Sequence, residues 1–212
     1  MQQQLNLDLR VWRRIRLLCG VDEAGRGALA GPVVAAAVIL PKGVDLPGVT
    51  DSKKLAPRRR EEQFTEIATR ALAIGVGFIP AEEIDECNIL NASLKAMRRA
   101  CQRLALRLEP EFVLVDGNQE IPDLPWPQET YPQADLHSLS VAAASIIAKV
   151  LRDRYMKRLD TSYPGYSFST HKGYPTRNHV KILRQIGPSP VHRMSYRPCA
   201  ECGKEVHEIK IS

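Results

Sequence analysis

Four carboxylates stand where an α/β sheet can gather them. Asp22 and Glu23 follow an apolar run, residues 17–21, and precede a Gly-rich segment, residues 25–31. Asp116 ends a shorter apolar run, residues 112–115, and is followed by Gly117, while Asp135 lies just ahead of an alanine-rich stretch. Open α/β sheets take ligands outside the carboxyl ends of their strands. Four carboxylates without histidine or cysteine company suit hard cations, Mg²⁺ or Mn²⁺, rather than zinc. A pair of such ions about 3.5 to 4 Å apart is a common engine of phosphodiester hydrolysis. Each aspartate taken alone reads more readily as a turn former or a helix cap. The adjacent pair adds a geometric demand, because consecutive strand residues face opposite sides. Asp22 and Glu23 serve one site only if the chain bends there, and Gly25 and Gly27 supply the means.

The elements that must position these groups follow from periodicity. Residues 17–21 and 31–40 read as buried strands joined by the Gly-rich turn. Pro57 suits the first position of a helix whose apolar residues Phe64, Ile67, Ala68, Ala71 and Leu72 follow helical spacing. Residues 73–79 return to a strand pattern that Pro80 ends. Leu90, Leu94, Met97, Cys101, Leu104 and Leu108 step by fours and threes, an amphipathic helix in which Cys101 is a core thiol. A short strand at 112–115 and a Pro-rich loop follow. Next come an alanine-rich helix over 138–158 capped by Ser138 and a last helix over 176–186. Strands interleaved with helices predict one α/β domain at residues 17–198, after an N-terminal extension, 1–16, and before a polar tail, 199–212. The stretch from Pro188 onward reads as loosely attached.

Composition narrows the partners. The 212 residues are 44% hydrophobic, enough for one compact core. Lysine and arginine exceed aspartate and glutamate by 30 to 24, a net charge of +6, which favours a polyanion through counterion release. No run reaches the ~18 to 20 apolar residues of a membrane span. The arginines among the first 16 residues lack the apolar core of a signal peptide. Five scattered cysteines point to a reducing compartment, so a cytoplasmic location is expected. Cys199 and Cys202 have His192 and His207 near them in sequence but no second Cys-x-x-Cys, so a weakly packed tail is preferred to zinc.

The segment Asp22-Glu23-Ala24-Gly25-Arg26-Gly27, continuing Ala28-Leu29-Ala30-Gly31-Pro32, closely resembles the opening motif of type 2 ribonucleases H, ribonuclease HII. Further matches keep the family's order: Asp51-Ser52-Lys53-Lys54-Leu55, Leu114-Val115-Asp116-Gly117, the stretch 142–150 with Arg152-Asp153, His171-Lys172-Gly173-Tyr174, and His192-Arg193. The resemblance spans roughly residues 17–198. It implies the ribonuclease H-like fold, a mixed central β-sheet flanked by helices. It also implies that Asp22, Glu23, Asp116 and Asp135 are catalytic, metal-binding carboxylates. Gly25-Arg26-Gly27 and Tyr174 would read the ribose 2′-hydroxyl, the group that separates RNA from DNA, while Lys53 and Lys172 would meet phosphates.

The implied activity is endonucleolytic. The enzyme would hydrolyse the RNA strand of RNA/DNA hybrids and cut 5′ of single ribonucleotides in duplex DNA, leaving 3′-hydroxyl and 5′-phosphate ends. Its partner would be nucleic acid, with no membrane, and the chain would act as a monomer. A nuclease of the same fold acting on another nucleic acid, and a non-catalytic hybrid-binding protein, are the competing readings. This sequence departs from the family around the fourth aspartate, with Gln133-Ala134 before Asp135 and Leu136-His137 after it. Ala56 also replaces the usual serine before the first long helix.

Overall fold

The computed structural model describes residues 6–49 and 55–202. A five-stranded mixed sheet runs in the order β3-β2-β1-β4-β5. Strands β1 (Leu18–Ala24), β2 (Val33–Ile39) and β3 (Ala73–Ile79) form an antiparallel meander, while β4 (Phe112–Asp116) and β5 (Gln128–Tyr131) lie parallel to β1. Every residue of β2 is buried, as expected of a strand covered on both faces.

Two long helices supply those covers. Helix α3 (Ala81–Ala105) packs on the face that carries Cys19, Val21, Ala35 and Ala37, with Met97, Cys101 and Leu104 buried along its seam. Helix α4 (Leu139–Ser162) covers the opposite face, where Ala36, Val38 and Leu40 meet Ala142, Ala143 and Ile146. Helix α2 (Pro57–Arg70) joins α4 on that side. Ser138 caps α4 as expected, its Oγ accepting from Val141 N at 3.1 Å. Ala56 gives α2 no side-chain cap, and Pro57 occupies its first turn. Cys101 is the fully buried thiol that its spacing predicted.

Several expectations need correction. Helix α3 begins at Ala81, well before the apolar seam, and breaks at Asn88 (φ 65°), whose Oδ1 accepts from Asn91 N and restarts the helix. Strand β5 arises inside the Pro-rich loop. Its four residues lack apolar alternation and depend on pairing with β4, which no local pattern encodes.

Residues Asn6–Trp12 of the N-terminal extension form helix α1, with Trp12 1% exposed. Within α1, fully buried Asp8 accepts hydrogen bonds from Ser138 Oγ, Ser140 N and Ser140 Oγ, fastening α1 to the start of α4. After α5 (Phe168–His171) and α6 (Arg177–Ile186), the chain to Cys202 is not loose. Ser189, His192, Arg193, Cys199 and Cys202 are all buried. Among the described residues, no helix is long and apolar enough to cross a membrane.

Candidate active site

Strands β1 and β4 end side by side at the centre of the sheet, with Val21 opposite Val115, so Asp22 and Asp116 leave adjacent strand ends. Gly20 lets α4 approach β1 closely, since a Cβ there would stand 2.2 Å from the Ser140 carbonyl carbon. That approach lays a polar stripe of α4, Ser145, Lys149 and Arg152, beside the strand end, spaced by four and three residues. Asp22, Glu23, Gly25, Arg26, Gly27 and Asp116 line one cleft of about 280 Å³ together with Ser145, Lys149 and Tyr174.

The bend expected between Asp22 and Glu23 is not there. Strand β1 stays paired with β2 through Ala24, and the chain turns only at Gly25 (φ 98°). Both carboxylates reach one cleft because the ladder to β4 stops at Val21, leaving that edge of β1 open. Gly25 is required twice over. Its φ favours glycine, and a Cβ would lie 2.0 Å from Arg152 Nε. Gly27 differs, because an added Cβ would meet no protein atom.

Asp22 Oδ1 accepts from Glu23 N at 2.6 Å, and Ser145 hydrogen-bonds the same carboxylate. Burial pushes the Asp22 carboxyl well above the usual carboxylate range, and the charges of Glu23 and Asp116 push it further. Burial also raises Glu23, against the pull of Arg26 Nη1 at 3.3 Å, and Asp116 adds to the rise. Glu23 Oε2 is buried and has no hydrogen-bond partner among the described residues. Asp116 Oδ1 accepts from Ala134 N at 2.7 Å, tying the strand end to a single 3-10 turn, Ala134–Leu136. Asp135 is buried in that turn, one residue from this contact, and does not line the cleft. Among the described residues, no three His, Cys, Asp or Glu side chains stand close enough to form a ready metal cage.

Tyr174 is half-buried at the cleft wall, with Lys149 Nζ and Arg152 Cζ each 5.2 Å from its ring centre. Lys172 lies elsewhere, in a neighbouring cleft with Arg58, Arg60 and Lys157, and its Nζ donates to Ser169 O. Lys53 falls outside the described residues. His137 packs its ring edge-on against Tyr131 at 5.5 Å. Asp153 pairs with Lys149 at 2.7 Å, with Arg60 also beside it at 3.5 Å.

Sequence reasoning missed the residues that hold these loops. Arg152 is fully buried and donates to three carbonyls, Pro32 O at 2.9 Å, Lys172 O at 3.0 Å and Ala30 O at 3.1 Å. Burial lowers its pKa to about 10, which leaves it charged at neutral pH. Arg193, equally buried, donates to Arg26 O at 2.8 Å and Gly31 O at 2.9 Å, while Tyr196 Oη reaches Arg26 O at 2.7 Å. The available signal was the stripe Ser145, Lys149, Arg152, three polar residues at helical spacing along the alanine-rich helix. Cys199 and Cys202 pack with Leu29 and Leu183, and burial pushes the Cys199 thiol up to about 12, so it is a packing thiol. His207 lies outside the described residues.

Known proteins are similar to this chain over most of its length. The family profile described as Ribonuclease HII matches residues 19–199. A Ribonuclease HII of Geobacter sulfurreducens is 54% identical over 189 residues, covering 89% of this chain and 86% of that protein. One from Geobacillus kaustophilus is 50% identical over 195 residues, covering 92% and 74%. The crystal structure of ribonuclease H2 from Pyrococcus horikoshii superposes with a TM-score of 0.75 at 25% identity, covering 91% of this chain and 99% of that one. The RNase HII in a PCNA complex from Archaeoglobus fulgidus gives a TM-score of 0.69 at 30% identity, covering 85% and 95%. The chain therefore belongs to the ribonuclease HII family, has the ribonuclease H-like fold, and is a metal-dependent endonuclease that cuts the RNA of RNA/DNA hybrids and excises ribonucleotides from DNA.

Proposed function

We propose that the cleft at the ends of β1 and β4 is where the phosphodiester is cut, 5′ of a ribonucleotide, with Asp22, Glu23, Asp116 and Asp135 holding two divalent cations. The observation that carries this reading is the buried Glu23 Oε2, which lacks a hydrogen-bond partner among the described residues beside a second buried carboxylate raised by burial and like charge. Such oxygens are costly without a cation and fit one well. When bound, Mg²⁺ or Mn²⁺ would supply charge to activate water and to stabilise the leaving oxygen. Asp135 is the member that must turn toward the cleft from its 3-10 turn, and Asp116 is its link.

The remaining work falls to the chain. Ser145 and the Glu23 amide hold the Asp22 carboxylate, and Ala134 N holds Asp116. The open space over Gly27 admits a sugar against the backbone, and Tyr174 in the same cleft would meet its 2′-hydroxyl, so a deoxyribose lacks the contact that aligns the scissile bond. Lys149 lines the same cleft and offers a cation for a flanking phosphate. Lys172, with Arg58 and Lys157, and Lys53 by resemblance, would engage the duplex backbone alongside. The same reading takes the enzyme to work as a monomer in the cytoplasm, in keeping with five free thiols.

The direct test is cleavage of duplex DNA bearing one ribonucleotide, with Mg²⁺ and then Mn²⁺, mapping both new ends. A cut 5′ of the ribonucleotide with 3′-hydroxyl and 5′-phosphate ends is expected. No cut with either ion, or full activity after Asp116→Asn, overturns the assignment.

A further inference from the structure

Three histidines away from the carboxylates lie against the segment that carries Tyr174. His171 and His179 stack with ring centres 4.0 Å apart, and His179 and His192 lie 5.2 Å apart, around Phe168. Their hydrogen bonds run one way. Ser189 N donates to His192 Nδ1 at 2.9 Å, so that nitrogen accepts and the ring proton sits on Nε2. His192 Nε2 lies 3.0 Å from His179 Nε2. Two ring nitrogens bond only when one of them carries a proton, so His179 accepts there and carries its own proton on Nδ1. That proton points at Tyr174 O, 3.0 Å away. A single tautomer set therefore satisfies every link from Ser189 through both rings to the tyrosine backbone.

His171 braces the same segment. Its Nδ1 accepts from Gly173 N at 3.1 Å, and its Nε2 donates to Tyr166 O at 2.7 Å. A packing cluster would need only ring volume; here each of the three rings turns at least one nitrogen to the loop at Gly173 and Tyr174 or to another ring. Burial, helped by the neighbouring ring (His171 beside His179, His179 beside His192), holds His179 and His192 down at about 4, which keeps both rings neutral and the chain intact at physiological pH. Leu29 N also donates to Gly173 O at 2.7 Å, so this loop and the Gly25-Arg26-Gly27 turn are set as one unit.

We propose that His179 and His192 are positioning residues for ribose recognition: their hydrogen-bond chain fixes the Tyr174 backbone and, through it, the ring that meets the 2′-hydroxyl. This rests on the reading of Tyr174 given above. Thr176 N shares the Tyr174 carbonyl at 2.8 Å, so losing His179 would loosen the loop rather than unfold it.

The test compares kcat/KM for a duplex with one ribonucleotide against the same duplex with a 2′-fluoro-2′-deoxyribonucleotide there. Tyr174→Phe sets the scale, with an expected fall in the ratio of ~10-fold, the worth of one hydrogen bond. His179→Leu and His192→Met should lower it by a similar factor, whereas His179→Asn, whose amide N–H can reach Tyr174 O, should stay within about twofold of wild type. If Tyr174→Phe lowers the ratio and folded His179→Leu does not, the positioning role is overturned while the tyrosine reading stands. An unchanged ratio in Tyr174→Phe removes the tyrosine reading and this inference with it. Should the leucine variant not fold, long-range ¹H–¹⁵N imidazole spectra of the wild-type protein at pH 7 decide. His179 protonated on Nδ1 and His192 on Nε2 are expected, and a cation or the opposite tautomer at either ring overturns the chain.

Discussion

At the residue scale, the two glycines of the Gly-Arg-Gly turn do different jobs. Gly25 serves the fold, through its φ of 98° and its contact with Arg152, whereas Gly27 borders open space in the cleft. Gly27→Ala is therefore expected to fold with unchanged thermal stability and to lose roughly 10-fold or more in cleavage of a single-ribonucleotide substrate. Gly25→Ala is expected to lose stability and activity together, and a melting curve beside a cleavage assay separates the two. Asp22 carries the opposite conflict. Its folded pKa is raised above the unfolded value, so its buried charge costs stability as pH rises through that folded pKa. Asp22→Asn removes the charge. The metal-free variant should melt at a higher temperature than metal-free wild type at pH 7.5. Cleavage should nonetheless fall roughly 100-fold or more, the kinetic equivalent of about 3 kcal/mol. A melting temperature below wild type would show that the carboxylate is not destabilising.

Between elements, the connections that meet at the cleft are held by buried cations bonded to carbonyls rather than to carboxylates. Arg152 reaches from α4 to Ala30, Pro32 and Lys172, and Arg193 reaches from the C-terminal segment to Arg26 and Gly31. Removing a guanidinium leaves buried carbonyls unpaired, at about 1 to 3 kcal/mol each where water cannot replace it. Arg152→Met should then cost roughly 3 kcal/mol in urea unfolding and lower activity as well. Loss of activity without loss of stability would mean that Arg152 acts on substrate directly. The C-terminal segment belongs to the site for the same reason. Its residues look polar in sequence, but Arg193 spends that polarity on the carbonyls of Arg26 and Gly31, and His192 on Ser189 N and the His179 ring.

For the whole molecule, acid should weaken the fold through the histidine cluster. His179 and His192 sit at about 4 in the folded state against about 6.5 unfolded. As pH falls the unfolded chain takes up protons first. The stability these rings contribute is present above about pH 6.5 and is lost as pH drops toward 4. Asp22 works in the other direction, so the informative quantity is the unfolding free energy of wild type minus that of His192→Gln. That difference should shrink by on the order of 2 kcal/mol between pH 7 and pH 4.5, with the two rings titrating as a pair. A pH-independent difference would mean that the rings protonate without breaking their contacts.

Much of this protein is legible in its sequence. Apolar periodicity located β1 to β4, α2, α4, α6 and the seam of α3, because burial of one face leaves its period in the sequence. Ordered motifs gave the family, and strand-end position singled out Asp22, Glu23 and Asp116 as companions. What local pattern does not encode had to wait for tertiary contacts. Strand β5 exists through pairing with β4, α1 is fastened by Asp8 to two serines more than 120 residues away, Arg152 and Arg193 act through carbonyls of distant loops, and His179 and His192 act through each other. The arginine bonds go to backbone, which every residue type carries, so they leave no trace in the partner's identity. The sequence determined by itself which side chains hold charge at the strand ends. Tertiary structure decided that Asp22 and Glu23 share a cleft without a bend, because only the end of the β1–β4 ladder opens that strand edge to both of them.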